Sequence, residues 1–410
     1  MNFLIFFIIC SFTLFLDLYL VFPFLTFPNL SLLLVSLYGI SNREIILDFL
    51  KNKKFNFTIL KISSMFILYI FIINLVNRSD IEFALKAFFT NISVIICFPI
   101  FFYFTSEKKF NLIKSIYLIM IIHFIFTIFQ IFSVNLTLKD LIPGNFLIGT
   151  VGDTGVLNPR SLRATGAVSS PIALAHQTIA FICLTSISYF KNKNFSNFIF
   201  LLIAIILLVS TQSRAAIYSF IPLIILTNIL FVKFSFKKLF LLIIIITLGI
   251  LLASNISAQL DSYFPYLFKT ITSSDTHRFW TNYYISIGVL NESPLIGIPP
   301  ELAWELFDNY TDPNYDPYNY DLRLDTPTHH NQIFYYLRYY GLIGVSFLIL
   351  LYYQIFKQIF FTKNETIKFV IGSIFIIDLF FSLTHNNKIF TPFLWIYLSL
   401  IYDEEFNLNK

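Results

Sequence analysis

THHNQIFYYLRYYGLIGVSFLILLYY, residues 328–353, decides the class of fold, because a polar segment here runs directly into an apolar helix of span length. His330 and Asn331 lie at its start, and Gly341 and Gly344 follow after nine further residues. The sequence thus predicts an imidazole and an amide at a membrane surface, at the mouth of a span. Imidazole is the side chain best suited to move a proton near neutral pH. Two glycines on one helix face would let a neighbouring helix approach closely.

The composition of the whole chain indicates a polytopic membrane protein. Of its 410 residues 57% are hydrophobic, only 12% are charged and 52 are Phe, and apolar runs of span length recur along it. Cys10, Cys97 and Cys183 all lie inside apolar runs, which favours packing over disulfides or metal ligation. The first apolar run has no convincing cleavage site and is interpreted as a retained span.

The apolar runs predict an all-α fold of about twelve transmembrane helices, in a single integral membrane domain that covers residues 1–410. The predicted spans are 2–21, 24–41, 57–76, 83–104, 112–134, 171–190, 197–212, 214–232, 239–256, 331–356, 367–383 and 388–402.

Every second predicted loop is rich in basic residues, and this alternation indicates the orientation of the chain. With the N-terminus in the cytoplasm, five basic loops lie inside, as short loops rich in Lys and Arg do. These loops carry Arg43, Lys51, Lys53 and Lys54; Lys108 and Lys109; Lys191 and Lys193; Lys233, Lys237 and Lys238; and Lys357 and Lys363. The net charge of +5 therefore reports membrane topology, and its spread over separate loops argues against nucleic-acid binding.

Two segments on the opposite, outer side are too long to be simple turns: 135–170, and 257–330 before the tenth span. The second carries ten acidic residues against three basic ones, and its part DNYTDPNYDPYNYDLRLD (308–325) is rich in Tyr, Asp and Asn. Loops of this length are usually functional or disordered. The composition fits sugar binding, in which rings stack on sugar faces, and it equally fits an interfacial tyrosine belt with a solvated loop.

Metal and cofactor motifs are missing from the sequence. Asp312-x-Asn314-x-Asp316 resembles the start of a calcium loop, but Pro317 replaces the turn glycine and Arg323 stands at the closing glutamate. Zinc spacing, a glycine-rich phosphate loop and a Gly-x-Ser-x-Gly elbow are absent as well. The sequence therefore predicts neither a metal nor a cofactor.

Three arginines break the trend of positive residues on the inside. Arg163 precedes a span, Arg214 separates two spans at the outer face, and Arg278 lies in the large outer loop. An arginine at membrane depth is costly unless it is paired or lines a polar cavity. Guanidinium groups match phosphate with forked, charge-assisted bonds, so the three predict a pyrophosphate site. The alternative for each is interfacial snorkelling or a structural pair with an aspartate.

His330 is the predicted catalytic histidine, because it combines with Asn331, the two glycines and the outer arginines. His329 beside it can be a structural interface residue. Asp17 and Asp378 lie inside spans and need partners, which leaves a proton-coupled transporter open. The weaker histidine candidates are His277, His176 and His385, and His123 is predicted to be a packed, neutral residue.

At four motifs the sequence resembles the O-antigen polymerase and O-antigen ligase superfamily of bacterial envelopes. The motifs are RATGAVSSPIALA at 163–175, TQSRAAI at 211–217, HRFWTNYYISIGVLNESPLIGI at 277–298 and HHNQIFYYLRYYGLIG at 329–344. They cover 58 residues. Their order, the twelve-span layout and the large late outer loop extend the resemblance over nearly the whole chain.

The resemblance implies an inverting, metal-independent glycosyltransferase of the GT-C type, without a cofactor. The family histidine maps onto His330, and the pyrophosphate-binding basic residues map onto Arg214 and Arg278, with Arg163 as a further member. Asn331, Gly341 and Gly344 are the supporting residues. The implied donor is an oligosaccharide on undecaprenyl pyrophosphate, and the implied acceptor is either a lipid-linked repeat or the lipid A core.

Three functions follow from these expectations. The favoured one is O-antigen polymerase, because the rest of the chain resembles the Phe- and Ile-rich polymerases of surface-polysaccharide clusters. The alternatives are an O-antigen ligase and, from a different class, a polysaccharide flippase or transporter. The expected location is the bacterial cytoplasmic (inner) membrane, with the active site facing the periplasm. The expected partners are the lipid-linked donor, the sugar acceptor, membrane lipids and a chain-length regulator, but no nucleic acid.

Overall fold

The computed structural model describes residues 18–20, 27–53, 55–78, 81–107, 112–131, 147–150, 164–168, 171–192, 194–211, 213, 216, 273–312, 331–384 and 389–402. Within these ranges the chain is helical apart from one short strand pair and the connecting turns. The predicted helical architecture is therefore confirmed for the described part. The predicted spans at 214–232 and 239–256 lie outside it.

The elements, in chain order, are β1 Leu18–Leu20, α1 Phe27–Ser41, α2 Arg43–Asn52, α3 Thr58–Arg78, α4 Ile81–Glu107, α5 Leu112–Ile131, β2 Leu147–Thr150, α6 Pro171–Asn192, α7 Phe195–Thr211, α8 Ser273–Glu292, a 3-10 turn Pro300–Leu302, α9 Ala303–Tyr310, α10 Gln332–Phe361, α11 Glu365–Thr384, α12 Pro392–Leu398 and a 3-10 turn Ser399–Tyr402. Helices α3 to α7 each coincide with a predicted span to within a few residues. The apolar runs alone were thus sufficient to locate them.

In the described part of the chain, three helices are long and apolar enough to cross a membrane. They are Thr58–Asn77, Ile81–Glu107 and Gln332–Phe361. A fourth crossing results if Leu30–Ser41 and Arg43–Asn52, which meet at 82°, form one broken span. Their outward faces are apolar, as lipid contact requires. Large exposed hydrophobic side chains include Met65 on α3 and many others along these helices.

One local prediction was wrong. Residues Leu18–Leu20, placed in the first helical span, form a strand that pairs antiparallel with Leu147–Thr150. Pro23 follows closely and cannot donate a helical hydrogen bond, so a helix is disfavoured there. The first basic loop contains the amphipathic helix α2, which buries Ile46, Phe49 and Leu50.

The last predicted span, 388–402, is not a full-length helix. Its helical part is Pro392–Leu398, followed by a 3-10 turn, which at about 1.5 Å per residue falls well short of the ~30 Å hydrocarbon core. Trp395 and Tyr397 are fully buried, and the Trp395 indole donates to the Ile389 carbonyl at 2.9 Å. The segment packs against α4 and α11, and protein surrounds its aromatic rings.

Helix α10 reverses direction at Gly341, which has φ 62° and ψ −165°. We call residues 332–340 the short arm and residues 342–361 the long arm. The Tyr352 hydroxyl donates to Gln332 Oε1 at 2.5 Å, whereas twenty residues of straight helix would separate the two by about 30 Å. The short arm therefore lies back along the long arm.

Packing confirms the reversal independently. The Phe66 ring of α3 contacts both Tyr336 and Phe347, with centroids at 5.3 and 5.4 Å, although these two are on different arms. A Cβ added at Gly344 would lie 3.4 Å from the Tyr336 carbonyl oxygen. The long arm alone still reaches roughly the 30 Å of the hydrocarbon core.

The short arm is buried between two hydrophobic clusters. Its tyrosines, Tyr335, Tyr336, Tyr339 and Tyr340, belong to the main core shared by α1, α3 to α7, α10, α11 and α12. Leu337, on its other side, joins a smaller cluster formed by α8, α9 and the loop between them. An element held on two sides in this way has little freedom to move, which suits a segment that carries reactive groups.

Candidate active site

Two glycine-containing turns interlock backbone to backbone beside the short arm. Leu342 N donates to the Pro294 carbonyl at 2.7 Å, and Ile298 N donates to the Arg338 carbonyl at 2.7 Å. The Tyr69 hydroxyl of α3 donates to the Tyr340 carbonyl at 2.7 Å, so α3 also bonds to these turns. We call these paired segments, residues 294–298 and 338–343, the glycine interlock.

Glycine is required on both sides of the glycine interlock. Gly297 has φ 75°, and a Cβ there would lie 2.6 Å from Tyr339 C and 2.7 Å from Tyr340 N. A Cβ at Gly341 would lie 2.5 Å from Ile296 N and closer still to Leu295. Gly341 was predicted to admit a neighbouring helix, but it forms the turn and admits this loop. At Gly344 the missing side chain leaves room for the Tyr340 side chain of the short arm.

The glycine interlock brings two distant motifs of the sequence together. One partner is the end of the stretch 277–298, which contains His277 and Arg278, and the other is the stretch 329–344. Arg278 lies in the first turns of α8, whose following residues Asn282 and Ile285 are buried. The side chains of His277 and Arg278 are not among those described.

Asn331, a predicted supporting residue, fixes the start of the short arm. Its Oδ1 accepts from Ile333 N at 2.8 Å and from Phe334 N at 3.3 Å, so it is the N-cap. Its Nδ2 donates to the Leu383 carbonyl at 3.0 Å, near the end of α11. The residue before the cap is His330, which lies outside the described residues, as do His329 and His385.

A buried polar cluster lies below this cap, between α6, α10 and α11. His176 Nε2 donates to Asp378 Oδ1 at 2.6 Å, and the His176 ring stacks on Phe381. The Tyr352 hydroxyl, which donates to Gln332, also lies close to Ser382 and to the Asp378 carboxylate. Asp378 was predicted to need a partner, and His176 is that partner.

Breaking the His176–Asp378 pair is expected to destabilise the protein strongly. Asp378→Ala leaves His176 without its carboxylate in an apolar core, a loss of about 3–5 kcal/mol for a buried pair. The double variant His176→Leu/Asp378→Leu removes both polar groups and should recover much of that stability. Thermal unfolding of detergent-solubilised protein measures both, with Glu305→Ala on the exposed face of α9 as the control.

If the double variant is no more stable than Asp378→Ala, the two side chains do not act as a pair. Equal midpoints for Asp378→Ala and Glu305→Ala would likewise contradict the buried interaction.

The segment after Arg163 is bound into the bundle by side chains of α5. Gln130 Oε1 accepts from Thr165 N and Gly166 N, both at 3.0 Å. His123 Nδ1 accepts from Ala167 N at 3.1 Å, so Nε2 carries the proton and donates to Gln177 Oε1. His123 is thus a buried, neutral packing residue, as predicted.

Arg163 and Arg214 both lie outside the described residues, but their chain neighbours are joined. Ala164 N, directly after Arg163, donates to the Ser210 carbonyl at 3.0 Å, four residues before Arg214. Two of the four sequence motifs are thereby linked, just as the glycine interlock links the other two.

Three polar residues of α10 were missed by the sequence reasoning: Gln332, Arg338 and Tyr352. Arg338 is only 1% exposed, its guanidinium lies 5.0 Å from the Tyr339 ring centroid, and it donates to the Pro300 carbonyl at 3.4 Å. A signal was available, since an arginine and a glutamine inside an apolar run are costly unless they have a role. These residues were assigned to the predicted span 331–356, which was assumed to be one continuous helix.

A metal site is not formed by the residues that the structure describes, because they contain no group of three or more His, Cys, Asp or Glu side chains placed to hold an ion.

Comparison with known families identifies the segment that contains the glycine interlock. Residues 199–349 match the family model of the O-antigen ligases. The match runs from α7 into the long arm of α10 and includes three of the four motifs, so the resemblance to the O-antigen polymerase and ligase superfamily is confirmed for this segment. Comparison with curated proteins finds no match.

Proposed function

We propose that this protein, whose residues 199–349 match the O-antigen ligase family, is a polymerase that joins undecaprenyl-pyrophosphate-linked repeat units. The observation that carries the proposal is the glycine interlock, since it ties the helix bearing Arg278 to the short arm that begins just after His330. A base for a sugar hydroxyl and a cation for a pyrophosphate are thereby supplied from two elements that are fixed to one another.

The proposed reaction is an inverting displacement. The acceptor hydroxyl loses its proton to a ring nitrogen of His330 as its oxygen attacks the anomeric carbon of the donor. The bond from that carbon to the pyrophosphate oxygen breaks, and its electron pair leaves with the lipid pyrophosphate. Arg163, Arg214 and Arg278 stabilise the charge that develops on this leaving group. Because pyrophosphate is already a good leaving group, the reaction proceeds without a metal.

Support for an assembled arginine site comes from the chain neighbours of the three residues. The bond from Ala164 to Ser210 holds the segments that carry Arg163 and Arg214 together. Arg278 lies on α8, whose later turns pack toward α9 and the short arm. We place the site at the periplasmic face of the inner membrane, in a helical bundle of the GT-C type.

The second candidate is an O-antigen ligase, which is favoured by the description of the matched family. The two enzymes share the donor and differ in the acceptor, which is a lipid-linked repeat for the polymerase and the lipid A core for the ligase. A flippase is less well supported, because Asp378, an intramembrane charge that suggested transport, is paired with His176.

The experiment supplies purified protein in lipid vesicles with undecaprenyl-pyrophosphate-linked repeat units, with or without lipid A core. A polymerase forms products of two or more repeats and releases undecaprenyl pyrophosphate without the core acceptor. Product formation only when core is added would replace polymerase by ligase. Movement of labelled donor across the bilayer with no new glycosidic bond would contradict both and indicate a flippase.

A further inference from the structure

We propose that Tyr352, through its hydrogen bond to Gln332, is a positioning residue for His330. The inference rests on the proposed function, because it takes His330 to be the base. Tyr352 belongs to the long arm of α10, and nothing in the sequence marks it out among the surrounding apolar residues. Its position becomes informative only because α10 folds back at Gly341.

The first step of the argument concerns how the short arm is held at its two ends. At the Gly341 end it is fixed by backbone hydrogen bonds of the glycine interlock. At the other end, about 13 Å away along the helix, the cap residue and the first residue of the arm are bonded through their side chains. One bond joins Asn331 to the Leu383 carbonyl, and the other joins Gln332 to the Tyr352 hydroxyl. Both bonds hold residues that directly follow His330 in the chain.

The second step is that Tyr352 is itself held in place by α11, which α6 supports in turn. Its hydroxyl lies close to Ser382 and to the Asp378 carboxylate, both on α11. His176 of α6 fixes that carboxylate at 2.6 Å, and the Tyr352 ring packs against Phe375. These contacts thus hold the Tyr352 hydroxyl in position for its bond to Gln332.

The third step separates positioning from a merely structural role. Gln332 is only 2% exposed, and its Nε2 has no hydrogen-bond partner among the described residues. A buried amide with free donors costs free energy, so an apolar side chain would serve packing better at this position. The amide instead stands two residues after the proposed base and is fixed through its oxygen by Tyr352.

The test is Tyr352→Phe, which keeps the ring and removes only the hydroxyl. The matched control is Tyr353→Phe, the next residue of the same helix, whose side chain is 57% exposed. In the vesicle assay, kcat of Tyr352→Phe should fall by about 10- to 100-fold, the range expected when a reacting group is displaced by about 1 Å. The KM for the lipid-linked donor should change by less than about two-fold, since donor binding is assigned to the arginines.

A second pair of variants shows whether the effect acts through Gln332. Gln332→Leu removes the acceptor, and it should lower kcat to a similar degree. The double variant Tyr352→Phe/Gln332→Leu should be no worse than the poorer single variant, because both changes break one bond. This comparison also decides the question if one of the single variants is obtained in poor yield.

Three results would overturn the inference. They are a kcat for Tyr352→Phe equal to that of Tyr353→Phe, losses that add in the double variant, and a loss explained wholly by a smaller folded fraction. Failure of the proposed function is distinguishable, because the unaltered protein would then form no glycosidic bond between repeat units in the same assay, whereas an active His330→Ala would refute only the assignment of the base. If His330→Ala is inactive and Tyr352→Phe is fully active, only the positioning role of Tyr352 is wrong.

Discussion

Gly341→Ala is expected to abolish nearly all folded and active protein. With φ 62° and ψ −165°, Gly341 occupies a backbone region that is essentially restricted to glycine, and other residues are strained there by about 1–3 kcal/mol. The added Cβ would also lie 2.5 Å from Ile296 N and closer to Leu295. These are backbone atoms, so they cannot rotate away as the end of a side chain can.

Relief of this contact would require the loop at 294–298 to move away from the short arm. That movement breaks the bonds from Leu342 N to the Pro294 carbonyl and from Ile298 N to the Arg338 carbonyl, both 2.7 Å long. The elements bearing Arg278 and His330 would then no longer be fixed together. The expected loss therefore includes activity as well as stability.

The matched control is Gly39→Ala on α1. A Cβ there meets side chains and no backbone: Ile96 Cγ2 would be 3.8 Å away, Ile100 Cγ1 3.0 Å away and the flexible Ile100 Cδ1 closer. The measurement is the yield of monodisperse protein after detergent extraction, followed by the vesicle assay. Near-normal yield and activity for Gly341→Ala would show that α10 does not reverse at this glycine and would contradict the glycine interlock.

The sequence was sufficient for elements that are determined by local composition. Helices α3 to α7 were located from apolar run length, because a lipid-spanning helix needs an uninterrupted apolar stretch. The same criterion failed at α10, since a continuous helix and a reversed one have the same run of apolar residues. The reversal is decided by the loop at 294–298, which is distant in sequence and occupies the inside of the turn.

The candidate site was predictable only in part, for the same reason. Asp378 could be recognised as a charge that needs a partner, but His176 is 202 positions away and was one histidine among several. Tyr352 and Gln332 looked like ordinary members of a span, and their contact depends on the reversal. Asn331 was selected for its place beside His330, and the structure gives it a definite role as a helix cap.

His330→Ala is expected to lower kcat of glycosyl transfer by about 10²- to 10⁴-fold, the usual contribution of a positioned general base. Alanine removes the group that takes the acceptor proton and leaves Asn331 to cap the short arm. Donor binding should persist, because the arginines are assigned to the pyrophosphate. The KM for the lipid-linked donor should therefore stay within about three-fold of the original.

The most direct test of the central claim is therefore kcat of His330→Ala beside that of His329→Ala, in vesicles supplied with undecaprenyl-pyrophosphate-linked repeat units. The two variants remove the same side chain at adjacent positions, so a general effect of histidine loss on folding would affect both. We expect His330→Ala to be inactive and His329→Ala to retain most of its activity. Full activity of His330→Ala would contradict the assignment of the catalytic base.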